Sequence, residues 1–353
     1  MAQRSFHTCA GSLPRQLPAD GLASLHVLGC AVWHAPPLGA LVAELVLAAE
    51  EQLPPQLPFF FRQSAAAAAR LTLHLDGGWR CAPPTAGLHS LLVRCAMPHR
   101  TPPPPHLSLR AARAARAALF PLLRRDAAAE GGLMGCSGTR VYGRPAERVP
   151  LHAASLRAWA SVGCKAMFAF AAEERSCAAL RALGKPLVCE VHGSLARGRA
   201  YYAQPSRHAL CLVYARASAA AFLALTDTDE FPSPLLPPLL RHAAARPELA
   251  GLRLFFDPDG ACPPRYCPED EADWRARCAG GRGKRNHWKP IVIPNRTSDV
   301  DVHQFTPIPP HVRKQVWKVC IYHRLAERGS MVRYDKQMGD PVSHRIDFSS
   351  LLV

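Results

Sequence analysis

The chain has 353 residues and is 48% hydrophobic, which suits one large domain or two ordinary ones and excludes an intrinsically disordered protein. Its formal net charge is +16, from 43 Lys and Arg against 27 Asp and Glu, a balance that attracts polyanions such as nucleic acid, anionic lipid or phosphorylated small molecules. The densest basic stretches, residues 109–125 and 281–289, match no nucleic-acid-binding module, so nucleic acid is not an expected partner. Thirteen cysteines include no C-x-x-C pair, which argues against a zinc ribbon. Cys262, Cys267 and Cys278 cluster in a loop-like stretch that fits a disulfide or free thiols equally well.

Residues 1–69 are rich in Pro, Ala and Leu, and no role is read from them. Within them, residues 26–49 are apolar but broken by Pro36 and Pro37 and interrupted by His26, His34 and Glu44. That falls short of the roughly 20 unbroken apolar residues of a spanning helix, so membrane association would require a segment not evident here. Residues 70–101 alternate and turn at Asp76-Gly77-Gly78, which predicts a small β unit. The proline run at 102–105 reads as a linker, and the Ala/Arg-rich stretch to about residue 125 as a helix, closing a connecting region over 102–134.

From about residue 135 the pattern becomes α/β. Leu151, Ala154, Ala158, Trp159 and Val162 form one helical stripe stopped by Gly163. Strands are predicted over 165–171, 186–191 and 221–225. Helices are predicted between them, one capped by Ser176 and one over 206–217. Strand, helix, strand, helix, strand is the grammar of a parallel sheet covered on both faces. A C-terminal tail over 331–353 carries no pattern.

The third strand, "AFLAL", runs directly into "TDTDEF". Ligands of open α/β sheets bind beyond the carboxyl ends of strands, so Asp227 and Asp229 sit where a site belongs. Two close carboxylates favour a cation between them, with Mg²⁺ or Mn²⁺ the natural oxygen-seeking choice. The alternative is that these acids cap the following turn.

Taken in order, several stretches resemble glycosyltransferase family 92. They are "TRVYGRP" (139–145), "AWASVGCKAMFAF" (158–170), Gln204 with Cys211-Leu212, "DTDEF" (227–231), "KPIVIP" (289–294) followed by His303, and "YHR" (322–324). The resemblance covers roughly residues 70–330. It implies a GT-A-type, Rossmann-like mixed sheet with flanking helices over 135–330, a UDP-sugar donor, a glycan acceptor, Mn²⁺ or Mg²⁺, and inverting transfer of a hexose such as galactose. It also implies Asp229 as main metal ligand, Asp227 on metal or ribose, and His303 completing the metal or diphosphate site. Lys289, His323 and Arg324 are then candidates to stabilise the leaving diphosphate. Where the family commonly ends its first strand "YD", this chain has Phe170-Ala171, and Glu173 or Glu174 are candidate substitutes.

An inverting transfer needs a carboxylate base near the acceptor hydroxyl. Asp257 and Asp259 follow an apolar strand, and Glu269 and Asp270 lie in "CPEDEADW"; the sequence does not choose among them. The sequon Asn295-Arg296-Thr297 fits a Golgi or other secretory lumen. Two other readings stay open: a noncatalytic carbohydrate- or nucleotide-binding relative, and a metal-dependent phosphoryl-transfer enzyme.

Overall fold

A computed structural model describes residues 5–11, 13, 15–17, 24–50, 68–69, 71–87, 90–98, 102–112, 117–141, 145–171, 173–184, 187–192, 204–227, 230–232, 236–257, 288–302, 304–308 and 313–323. Two sheets with helices between and beside them make a mixed α/β architecture.

The first half builds one antiparallel sheet. Its strands are β1 (Ser5–Cys9), β2 (Arg15–Leu17), β3 (Ser24–Ala35), β4 (Ala40–Glu50), β5 (Leu73–Leu75), β6 (Arg80–Cys81), β7 (Thr85–Ala86), β8 (Leu91–Pro98), β9 (His106–Ala111) and β10 (Ala118–Asp126). The order is β5-β9-β10-β1-β3-β4-β8-β6, with β2 on β3 and β7 on β8. The apolar stretch at 26–49 is therefore the long β3–β4 hairpin. Pro36–Leu38 form its turn, and Gly39 takes the left-handed backbone that closes it. No helix among the described residues is long and apolar enough to cross a membrane.

Two expectations are corrected here. The described residues of the expected Ala/Arg helix are strands: β9 and β10 occupy its ends, because Leu107, Leu109, Ala111, Ala118 and Phe120 are buried on a period of two within each strand. Pro121, which a helix interior excludes at a cost of about 3 kcal/mol, sits within β10. The β unit expected over 70–101 is also not separate, since β8 pairs along β4.

The second sheet contains β11 (Leu133–Val141), β12 (Cys164–Ala171), β13 (Leu187–Val191), β14 (Phe222–Thr226), β15 (Glu230–Phe231), β16 (Leu249–Asp257), β17 (Trp288–Val292) and β20 (Arg313–His323). A separate ribbon is formed by β18 (Thr297–Val300) and β19 (Phe305–Pro307). Strand order is β13-β12-β11-β14-β17-β16-β20-β15. The first four strands are mutually parallel, while β17 runs antiparallel to β14 and β16. The expected parallel strands are thus present inside a mixed sheet.

Helices α1 (Pro145–Ser161), α2 (Glu174–Arg181) and α4 (Leu236–Ala244) share a core with one face of this sheet, through Leu156, Trp159, Cys177, Leu180, Leu236 and Leu240. Gly163 ends α1 with a positive φ, as its sequence position predicts. Ser176 does not cap α2: the helix begins at Glu174, so Ser176 lies buried in its first turn.

Helix α3 (Gln204–Ala217) is the layer between the two sheets. Its residues 209–215 share one core with Phe6, Leu28 and Val46 of the first sheet and Met134, Phe168 and Leu223 of the second. A Cβ on Gly29 of β3 would come 2.6 Å from Leu210 Cδ1, so that glycine permits the close approach. Disulfides join Cys136 of β11 to Cys211 of α3 and Cys177 of α2 to Cys189 of β13. Two more, Cys9–Cys30 and Cys81–Cys95, lie within the first sheet.

Candidate functional site

Chain order places β13, β12, β11 and β14 third, second, first and fourth across the sheet. The direction of progress reverses between β11 and β14, and a crevice opens beyond the carboxyl ends at such a point. Asp227 is the residue that follows β14.

Every residue of β14 is buried, as an interior strand covered on both faces requires. Asp227, by contrast, keeps 20% of its side chain exposed. Its Oδ1 accepts a hydrogen bond from Gln204 Nε2 at 2.5 Å, and its Oδ2 one from Lys289 Nζ at 2.7 Å. Gln204 opens α3 and Lys289 lies on β17, so three elements deliver this cluster. The Lys289 side chain is 3% exposed, and an ammonium buried that far needs a paired carboxylate.

A second convergence is fixed by strand register. Glu230 of β15 pairs with His323 of β20, Phe231 pairs with Tyr322, and Asp257 at the end of β16 also lies opposite Tyr322. Glu230-Phe231, Tyr322-His323 and one of the four candidate bases therefore lie on the three neighbouring strands β15, β20 and β16.

Asp229, His303 and Arg324, and the candidate bases Asp259, Glu269 and Asp270, lie outside the described residues. No group of three or more His, Cys, Asp or Glu able to hold a metal occurs among the described residues. Asp227 suits an oxygen-preferring cation by chemistry, but Lys289 already neutralises it. Its remaining lone pairs are better matched to a hydroxyl donor than to a second cation.

Phe170 and Ala171 are fully buried at the end of β12, and no acid occupies that position. Phe170 packs edge-on to His192, with the Arg207 guanidinium 6.0 Å from its ring centroid. Of the candidate substitutes, Glu174 pairs with Arg181 on α2, and Glu173 is exposed at the start of that helix.

Sequence reasoning missed Gln204 as the partner of Asp227, and it missed Glu190 altogether. Glu190 accepts hydrogen bonds from the Tyr214 hydroxyl at 2.7 Å and from Arg125 at 3.2 Å. Burial raises its pKa above the ordinary carboxylate value despite Arg125 beside it, and burial likewise holds Tyr214 protonated. No periodic signal marks such residues; only the docking of β10, β13 and α3 brings them together.

No protein-family model matches the chain, and no curated protein matches it in sequence. Solved structures give weak likenesses. A mycobacterial protein is 12% identical at a TM-score of 0.34, over 56% of this chain and 69% of its own. Glucosyl-3-phosphoglycerate synthase from Mycobacterium tuberculosis in complex with phosphoglyceric acid is 12% identical at 0.29, over 48% of this chain and 59% of its own. The same synthase in complex with Mn²⁺ and UDP-glucose is 10% identical at 0.33, over 56% and 73%. Likeness at this level assigns neither a fold family nor an activity.

Proposed function

We propose that the protein is a metal-dependent inverting glycosyltransferase of the family 92 type, built on a GT-A-like sheet and moving a hexose from a UDP-sugar to a glycan acceptor. The observation that carries this reading is Asp227. It is an acid at the switch point of the sheet, held by Gln204 and Lys289, within the ordered motifs that resemble that family.

In this reading the two acids divide their labour. Asp227, neutralised by Lys289, accepts a hydrogen bond from the donor's ribose. Asp229 and His303 would hold Mn²⁺, which supplies Lewis-acid stabilisation of the departing diphosphate. His323, opposite Glu230 in register, and Arg324, next to it in sequence, add cationic character where that charge develops. Asp257 is the preferred base, because β16 ends opposite Tyr322, beside His323. Exposed Asn295 and the four disulfides among the described residues suit an oxidising secretory lumen such as the Golgi.

The test is UDP-hexose binding with and without Mn²⁺, in the wild type and in Asp229→Ala. A noncatalytic relative, favoured by the buried Phe170-Ala171 pair, would bind a sugar or nucleotide and turn over none.

A further inference from the structure

The first sheet has no role in the reading above, yet a buried ionic contact of its β4 leads back to the site. Arg216 lies near the end of α3, and its side chain is 6% exposed. Its Nε donates to the Pro294 carbonyl at 3.1 Å. One terminal nitrogen donates to Glu44 Oε2 at 2.8 Å, and the other to the carbonyls of Thr297 and, at 3.3 Å, Ser298. Glu44 belongs to β4, and its other oxygen accepts from Arg94 Nε of β8 at 2.6 Å.

One guanidinium therefore fastens three elements: the first sheet through Glu44, α3 through its own backbone, and the Pro294–Ser298 segment that follows β17. Of these, α3 begins with Gln204, and the Pro294–Ser298 segment continues the chain from β17, which carries Lys289. Arg216 is twelve residues from Gln204 along α3, roughly 18 Å of helix. A helix pinned at its middle by Cys136–Cys211 and at its end by Arg216 has its first turn fixed in both height and rotation.

We propose that Arg216, braced by Glu44, is a positioning residue that sets Gln204 and Lys289 together around Asp227, so that the first sheet acts as the brace of the site. Lysine cannot replace it, because a point charge lacks the fork that reaches Glu44 and the three carbonyls at once. The proposal takes its functional meaning from the donor-site reading, but its geometry does not need a nucleotide sugar.

The test is hydrogen exchange on the full chain, comparing wild type, Arg216→Lys, Arg216→Met and Glu44→Gln, each confirmed folded by a cooperative melt. Glu44→Gln keeps the shape of the brace and serves if the Arg216 variants do not fold. The expected result is exchange faster by roughly tenfold at amides 208–210 of α3 and at those of Lys289, Ile291 and Val292 of β17, increasing from Lys to Met at position 216, with β12 unchanged. A local role in stability alone would confine the change to residues 214–218 and 293–298, and that pattern would overturn the proposal. Since exchange is read without ligand, failure of donor binding would leave this result standing.

Discussion

Lys289 Nζ lies 2.7 Å from Asp227 Oδ2 across 62 positions of sequence, and the pair stands at the mouth of a fully buried strand. Neither residue is placed by local propensity; the sheet order brings β17 beside β14. Asp227→Asn leaves a buried ammonium without its carboxylate, which costs about 3 kcal/mol. A lowered urea midpoint with unchanged slope checks this. Lys289→Met, which removes the buried charge, is expected to cost less than Asp227→Asn.

The Cys136–Cys211 disulfide closes 75 residues of chain between β11 and α3. Replacing both cysteines by Ala is expected to lower stability by about 3–4 kcal/mol, chiefly by freeing the unfolded chain. Thermal unfolding under non-reducing conditions reads that loss. The same scan with reductant should bring the wild type down to the variant or below, since Cys9–Cys30, Cys81–Cys95 and Cys177–Cys189 open as well.

How far the sequence carried differs from place to place. The strands 165–171, 186–191 and 221–225 and the stop at Gly163 were legible because a buried parallel strand is a continuous apolar run and a helix-ending glycine is local chemistry. The segment 109–125 was misread because Ala and Arg favour helix by propensity, whereas its alternate burial depends on neighbouring strands. Asp227 was legible from its place after β14, but its partners were not. Gln204 and Lys289 reach it only through the docking of α3 and β17, as Glu44 reaches Arg216 only through the docking of α3 on the first sheet.

Glu190 makes stability depend on pH. Its folded pKa is raised by burial above the ordinary value of 4.5, so the fold favours its protonated form. Its contribution is fully present below about pH 4.5 and is lost as pH rises through the folded value. Glu190→Gln keeps an acceptor for the Tyr214 hydroxyl and carries no charge. Melting curves from pH 4.5 to 7.5 should therefore show wild type losing ground to the variant as pH rises.

Asp257→Asn tests the base. With donor binding intact, kcat should fall by about two to four orders of magnitude, while Asp259→Asn should change it little. Loss of donor affinity in Asp257→Asn would instead assign that residue to the nucleotide.

The measurement that bears most directly on the account is calorimetric titration of UDP-hexose into the full chain, with and without Mn²⁺, for wild type and Asp229→Ala. The account predicts Mn²⁺-dependent binding in the wild type and none in the variant. Absence of binding to folded wild type under every condition, or equal binding by Asp229→Ala, would contradict it.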